Sequence, residues 1–210
     1  MTFGTVVLCA LVGACGHKPS AAALQATVDR WPQDSVYTTH PDIVLVGDSI
    51  IQGWPRIGAL NHGLGGQTMI EVAYYINADA LVYKPRAVLI EGGINDLRRG
   101  TAVDDVIQAR FRALRAAESA GVKVYFGNLI PFGPGSQCSG LSQADVSTIN
   151  SFLASLCADR VRCVIVDFNA QFGGAYNPAN YQAGDCLHPN AAGNALLDQA
   201  FNAAVASSPY

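Results

Sequence analysis

The chain carries little charge: only 14% of its 210 residues are Asp, Glu, Lys or Arg, and its formal net charge is −3. This balance excludes the strongly basic surface that nucleic-acid binding requires, so we expect no nucleic-acid partner. Half of the residues are hydrophobic, which excludes an intrinsically disordered chain. The sequence shows no linker, internal repeat or low-complexity tract, and we therefore predict one folded domain with a substantial core.

Several motifs for metals and cofactors are also missing. There is no Cys-x-x-Cys pair and the four histidines are scattered, so we predict no metal site. In "GLGGQT" (63–68), Thr68 stands where a dinucleotide fingerprint needs its third glycine, and there is no P-loop lysine. We therefore predict no cofactor. The stretch "GDSII" (47–51) is not Gly-x-Ser-x-Gly, which disfavours the nucleophile elbow of α/β-hydrolases.

Long apolar runs are absent except for "TVVLCALVGAC" (5–15) at the N-terminus. This run has the length of a signal-peptide core and is too short to span a bilayer comfortably. Its end, "LVGAC", resembles the lipobox of bacterial lipoproteins and implies lipidation of Cys15, although no Lys or Arg precedes the run. We predict a signal or lipoprotein signal with a short tether over 1–19, and the domain over 20–210. The alternative is a buried first strand or helix.

Export would place the remaining cysteines in an oxidising compartment, periplasmic or extracellular, with a lipid at Cys15 as the membrane attachment. Four cysteines then remain in the domain, an even number that fits disulfides. We favour the pairs Cys157–Cys163, across a short helix-to-strand connection, and Cys138–Cys186, between two loops. Other pairings and free buried thiols remain alternatives.

Apolar runs rich in β-branched residues alternate with helical patterns, which predicts an α/β fold with a helix-covered parallel sheet of about five strands. We predict strands over 42–47, 59–63, 86–93, 122–130 and 163–168, the second being the weakest. Helices are predicted over 68–82, 102–121, 142–157 and 190–206. Ligands bind beyond the carboxyl ends of the strands in such sheets, so the strand-end loops are the candidate site.

Ser49 follows the first strand directly, and "DCLHPN" (185–190) precedes the last helix. A serine is inert without a base, and His188 oriented by Asp185 would supply one. Gly66 and Asn95 lie in two further strand-end loops and would donate to an oxyanion. Each residue has a plainer alternative: Ser49 and Asn95 as helix caps, Gly66 as a turn glycine, and the 185–190 loop as a cap for the last helix.

Four stretches in order, "GDSI", "NHGLGGQT", "GGIND" and "DCLHPN", resemble the sequence blocks of the SGNH (GDSL-type) hydrolases. The resemblance implies a flavodoxin-like, three-layer α/β/α sandwich without a metal. It implies Ser49 as nucleophile, His188 as base and then acid, and Asp185 as its orienting carboxylate. The oxyanion hole would be formed by the Ser49 and Gly66 amides and the Asn95 side chain.

This resemblance predicts a serine esterase that works through an acyl-enzyme, with short-acyl esters such as O-acetylated carbohydrates as first choice. A lysophospholipase, a thioesterase, an acyltransferase and a catalytically silent binding module are the alternatives. Gln67 departs from the family's usual Asp, and Cys186 lies inside the Asp-x-x-His motif. Six side chains near these loops could contact the substrate. The alternative is that the aromatic ones belong to the core and the arginines to the solvated surface: Trp54, Tyr74, Tyr75, Phe132, Arg98 and Arg99.

Overall fold

The computed structural model describes residues 41–210 together with Gln25, Arg30, Trp31 and Asp34. The predicted signal segment and Cys15 lie outside the described residues. From residue 41 onward the strands are β1 (Ile43–Gly47), β2 (Leu60–Gly63), β3 (Ala87–Ile90), β4 (Lys123–Gly127) and β5 (Cys163–Val166). The helices are α1 (Ser49–Gln52), α2 (Met69–Asp79), α3 (Ile94–Arg98), α4 (Val103–Ser119), α5 (Gln143–Cys157), α6 (Phe168–Gln171) and α7 (Ala191–Ser207).

All strand pairings in the sheet are parallel, in the order β2-β1-β3-β4-β5. This is the flavodoxin-like order, and it reverses direction between β1 and β3. The crevice at that reversal is where such folds bind ligands. The loops that follow β1 and β3 are therefore the expected position of a ligand site.

Helices cover both faces of the sheet and make the predicted three-layer α/β/α sandwich. On one face α2 packs against α4, and α4 packs against α5; elsewhere α6 packs against α7, which also contacts β5. The strands are almost completely buried between these layers. Doubly covered strands explain the continuous apolar runs of the sequence.

The predicted elements are confirmed, but several of them are shorter than their apolar patterns. The run over 86–93 leaves the sheet after Ile90, because Gly92 and Gly93 take φ values of 153° and 130°. The helix expected over 68–82 ends at Asp79 and continues as a separate 3₁₀ turn, Leu81–Tyr83. Hydrophobicity continues through these breaks because the following residues stay in the core.

Two disulfides link the domain: Cys138–Cys186 and Cys157–Cys163. These are the pairings that the sequence analysis favoured, and they are consistent with an exported protein. Among the described residues, no helix combines the length and apolar character needed to cross a membrane.

Residues before β1 contact the sheet edge near β2. The Arg30 guanidinium forms two hydrogen bonds with the Asp79 carboxylate, at 2.6 and 2.7 Å, and Trp31 Nε1 donates to the same group. The Trp31 ring stacks on buried His62 with centroids 3.9 Å apart, and the His62 ring also contacts the Asp34 carboxylate. These contacts hold Arg30, Trp31 and Asp34 against β2 and the end of α2.

Candidate active site

Ser49 is the first residue of α1, immediately beyond the carboxyl end of β1. The helix begins there because the Asp48 side chain accepts a hydrogen bond from the Ile50 amide at 2.9 Å, which caps the helix. Gly63 at the end of β2 packs on this helix so closely that a Cβ would lie 2.2 Å from the Gln52 nitrogen. The position of the serine is therefore fixed by a cap and by a backbone contact.

The serine, histidine and aspartate predicted from the sequence lie in one hydrogen-bonded chain. Ser49 Oγ is 2.9 Å from His188 Nε2, and His188 Nδ1 is 2.8 Å from Asp185 Oδ2. Because a carboxylate can only accept, Nδ1 carries the proton and Nε2 is the acceptor for the serine hydroxyl. The arrangement can therefore remove a proton from Ser49.

The Asp185 carboxylate is held in its ionised form. Burial raises its pKa, but the amides of His188 and Leu187, which donate to Oδ1 at 2.9 and 2.7 Å, and the His188 ring outweigh that effect. The pKa of Asp185 is therefore lowered. An ionised Asp185 can stabilise a positive charge on His188 after proton transfer.

The loop that carries His188 is fastened at several points. Cys186 is bonded to Cys138, and the Tyr176 hydroxyl donates to the Asp185 carbonyl at 2.9 Å. Asn190 caps α7 and also donates its side-chain amide to the carbonyls of Ala179 and Tyr181. The loop therefore does cap α7 through Asn190, as the alternative interpretation expected, and His188 makes its own hydrogen bonds as well.

Three groups are the candidate oxyanion donors: the Ser49 amide, the Gly66 amide and the Asn95 side chain. Among the described residues, neither the Ser49 amide nor the Gly66 amide has a hydrogen-bond acceptor. Gly66 has a φ of 79°, which favours glycine, so its role as a turn residue is compatible with a free amide. Asn95 is buried on α3, and its Nδ2 donates to the Gln67 carbonyl at 3.1 Å, with Asp48 Oδ2 at 3.4 Å.

Neighbouring side chains fix the loops that carry these donors. Asp96 accepts a hydrogen bond from the Met69 amide at 2.7 Å, which ties the start of α2 to α3. Arg99 donates to the Gly66 carbonyl at 2.7 Å, and Arg98 donates to Asn95 Oδ1 at 3.3 Å. The two arginines therefore contact the candidate donors, although the sequence did not distinguish this from a solvated surface pair.

Gln67, which replaces the usual Asp of the family, is buried and bridges two segments. With its amide oriented to satisfy both groups, Nε2 donates to the Gly47 carbonyl and Oε1 accepts from Arg30, each at 2.9 Å. Where the family usually has a carboxylate, this chain therefore has an uncharged amide, which links β1 to Arg30.

The aromatic residues near the site divide between core and surface. Trp54 is 1% exposed and packs edge-on against Phe168 and Phe201, and Phe132 is also buried. Tyr74 is exposed and contacts Tyr75, over which the Arg30 guanidinium lies. Trp54 is therefore a core residue and does not line the site.

Sequence reasoning missed two buried ionisable side chains near Ser49. Glu91, which follows β3 directly, and Arg110, in the middle of α4, are 2% and 0% exposed. The burial of Arg110 could have been predicted, because it lies between Val106 and Leu114 on the apolar face of its helix. No group of three or more His, Cys, Asp or Glu side chains placed to hold a metal occurs in the described part of the chain.

The fold and the hydrogen-bonded serine, histidine and aspartate are those of a serine hydrolase. A family model, the GDSL-like lipase/acylhydrolase family, matches residues 45–196. The chain therefore belongs to the GDSL-like lipase/acylhydrolase family, as its four sequence blocks predicted, and is an ester-hydrolysing enzyme. No curated protein matches the chain.

Solved structures share the fold over most of the chain. A Bacteroides fragilis protein assigned as an acylhydrolase is 20% identical, with a TM-score of 0.77 over 88% of this chain and 98% of its own. A GDSL-like lipase from Bacteroides thetaiotaomicron is 19% identical, with a TM-score of 0.75 over 87% and 98%. A catalytic mutant of an acetylxylan esterase from Geobacillus stearothermophilus is 19% identical, with a TM-score of 0.60 over 78% and 93%.

Proposed function

We propose that the protein hydrolyses short-acyl esters through an acyl-enzyme formed on Ser49. The observation that carries this proposal is the chain of two hydrogen bonds from Ser49 through His188 to Asp185, at 2.9 and 2.8 Å. A binding module without catalysis has no need of a serine, a neutral imidazole and an orienting carboxylate in this geometry.

In the first step, Ser49 Oγ attacks the ester carbonyl carbon while His188 Nε2 takes the hydroxyl proton. Collapse of the tetrahedral intermediate breaks the bond to the leaving alkoxide, which receives that proton from His188. Water then attacks the acyl-enzyme, again giving its proton to His188, and Ser49 leaves with the proton returned. The ionised Asp185 holds Nδ1–H in place throughout and stabilises the imidazolium.

The negative oxygen of each tetrahedral intermediate would be stabilised by the Ser49 amide, the Gly66 amide and Asn95 Nδ2. The free amides of Ser49 and Gly66 support this assignment. Asn95 Nδ2 donates to the Gln67 carbonyl at 3.1 Å and, over a longer distance, to Asp48 Oδ2 at 3.4 Å. An oxyanion would take the N–H that points to Asp48 in the free enzyme.

The exposure of Ser49 and one structural neighbour support the choice of substrate class. Ser49 is partly exposed, so its hydroxyl is open to an ester carried on a carbohydrate. The acetylxylan esterase among the structural neighbours is in keeping with an acetyl group as the acyl part.

The test is hydrolysis of p-nitrophenyl acetate, butyrate and octanoate by the mature protein and by Ser49→Ala. We expect kcat/KM to be highest for acetate and to be lost in the variant. Highest activity on octanoate would instead favour the lysophospholipase or thioesterase alternative. Product analysis with an acetylated xylooligosaccharide and a free sugar acceptor separates hydrolysis from acyl transfer.

For location, we propose export with a lipid anchor at Cys15, which the two disulfides support indirectly. Expression of the full chain and of Cys15→Ala, followed by membrane fractionation and mass analysis of the N-terminal peptide, tests this. A diacylated peptide in the wild type alone is the expected result. An unmodified Cys15 in the membrane-free fraction would overturn the anchor.

A further inference from the structure

Two carboxyl groups share a buried site beneath the nucleophile. Asp48, which caps α1, is 0% exposed and Glu91 is 2% exposed. The Glu91 amide donates to the Val46 carbonyl at 3.1 Å, and a Cβ on Gly47 would lie 2.6 Å from the Glu91 carbonyl oxygen. This close packing brings the Glu91 carboxyl group within hydrogen-bonding reach of Asp48.

No cation pairs directly with Glu91 among the described residues. Arg110 is the nearest buried cation, yet it donates only to the Gly92 carbonyl, at 2.7 Å, and its Nε and Nη1 have no partner. Glu91 Oε2 likewise accepts no hydrogen bond. Glu91 is therefore not one half of a salt bridge, and its polar neighbour is another carboxyl group.

Two carboxylates in contact in a buried site cannot both be ionised, so one proton stays between them. Asp48 Oδ1 must accept from the Ile50 amide, and Oδ2 faces the Asn95 amide. An ionised Asp48 can accept hydrogen bonds from both of these donors. We therefore assign the proton to Glu91, because no N–H or O–H group donates a hydrogen bond to its Oε2 atom.

We propose that Glu91 is a positioning residue that, as a carboxylic acid, donates a hydrogen bond to the Asp48 carboxylate and so fixes the cap of the nucleophile helix. Through Asp48 it also fixes the face that Asn95 presents to the oxyanion. The effect on catalysis rests on the proposed role of Ser49 as nucleophile.

The charges around the pair are consistent with this assignment. Burial raises the pKa of Glu91 well above its usual range; Asp48 and its hydrogen bond raise it further, and Arg110 lowers it. For Asp48, burial raises the pKa to about 6, opposed by the Ile50 amide and by His188, with smaller contributions from Asp96 and Arg98. Both directions place the shared proton on Glu91 and the negative charge on Asp48.

The experiment compares Glu91→Gln, Glu91→Met and the control Glu118→Gln with wild type at pH 8. Glu118 is a partly exposed residue on α4 whose carboxylate pairs with Arg160. Gln keeps a donor toward Asp48 without a charge, whereas Met keeps the volume and removes the donor. We expect Glu91→Gln and the control to hold kcat for p-nitrophenyl acetate near the wild-type value. In Glu91→Met, kcat should fall about tenfold to a hundredfold with KM nearly unchanged, because a hydrogen bond to a buried carboxylate is lost.

An infrared measurement on the same samples reports the proton directly. Wild type should show the C=O stretch of a protonated carboxylic acid at pH 8, and Glu91→Gln should lack it while Glu118→Gln retains it. Absence of the band in wild type, equal loss of kcat in the Gln and Met variants, or no loss in Met would each overturn the proposal. The band does not depend on Ser49, so failure of the catalytic assignment is recognised separately by activity in Ser49→Ala. Should Glu91→Met not fold, the band and the Gln variant still decide.

Discussion

Ser49 Oγ lies 2.9 Å from His188 Nε2, although 139 residues separate them in the chain. The serine is positioned by the end of β1, and the histidine by a loop that a disulfide, a tyrosine hydroxyl and a helix-capping asparagine hold in place. Both elements are fixed independently of substrate. The proposed proton transfer from Ser49 to His188 would therefore require little rearrangement when an ester binds.

Asp185→Asn should lower kcat by about 10³–10⁴-fold. An amide nitrogen facing Nδ1 of His188 would favour the tautomer that carries its proton on Nε2, and this tautomer cannot accept the Ser49 proton. Steady-state kinetics on p-nitrophenyl acetate measure the loss. Asp198→Asn removes a carboxylate from the exposed side of α7, where it pairs with Arg56, and should leave kcat unchanged. An active Asp185→Asn would contradict the role given to this carboxylate.

Asn95→Ala should reduce kcat by about 10²–10³-fold with a small change in KM, because the donor acts on the oxyanion that forms in the transition state. Asn202→Ala, at an exposed position where the side chain contacts Arg56, is the control. If KM rises while kcat stays constant, Asn95 contributes to ground-state binding instead. Circular dichroism of both variants confirms that the fold is retained.

The two disulfides should contribute unequally to stability. Cys138–Cys186 closes a separation of 48 residues and Cys157–Cys163 one of 6, so loop entropy predicts contributions of about 4 and about 2 kcal/mol. Urea unfolding of the two double Cys→Ala variants measures the difference, each serving as the control for the other. Equal losses would show that chain entropy does not govern the effect.

The lowered pKa of Asp185 predicts a pH dependence of stability. A carboxyl whose pKa is depressed on folding stabilises the native state above its unfolded pKa, about 3.9, and loses that contribution as pH falls through the folded pKa. The difference in free energy of unfolding between wild type and Asp185→Asn should be constant above about pH 5 and shrink below about pH 4. A difference that grows on acidification would refute the assigned direction.

Much of this site was readable from the sequence because its residues lie in loops at strand ends. The run before Ser49 predicts a buried strand, and parallel strands bring their carboxyl ends to one edge, which places Ser49, Asn95 and His188 together. The disulfide pairs were favoured from the connections that they would close, while other pairings stayed open. The roles of the individual site residues came from the resemblance of four sequence blocks to a known family, since each residue alone had a plainer interpretation.

The parts that the sequence did not reveal depend on contacts between distant segments. Glu91 reads as the end of a strand, and only the pairing of β3 with β1 places it beside Asp48. Arg30 gave no signal, because its partners Asp79 and Gln67 come from separate later elements. Strand and helix ends shifted because hydrophobicity reports burial and does not mark where regular hydrogen bonding stops. Strand β3, for example, ends before Gly92 and Gly93, whose φ values are positive.

The central claim is that Ser49 is the nucleophile, and covalent labelling tests it most directly. The mature protein and Ser49→Ala are treated with a fluorophosphonate, and the adduct is located by mass spectrometry of the digested chain. The account predicts one adduct, on the peptide that contains Ser49, and no labelling of the variant. An unlabelled wild type, or an adduct that persists in Ser49→Ala, would contradict it.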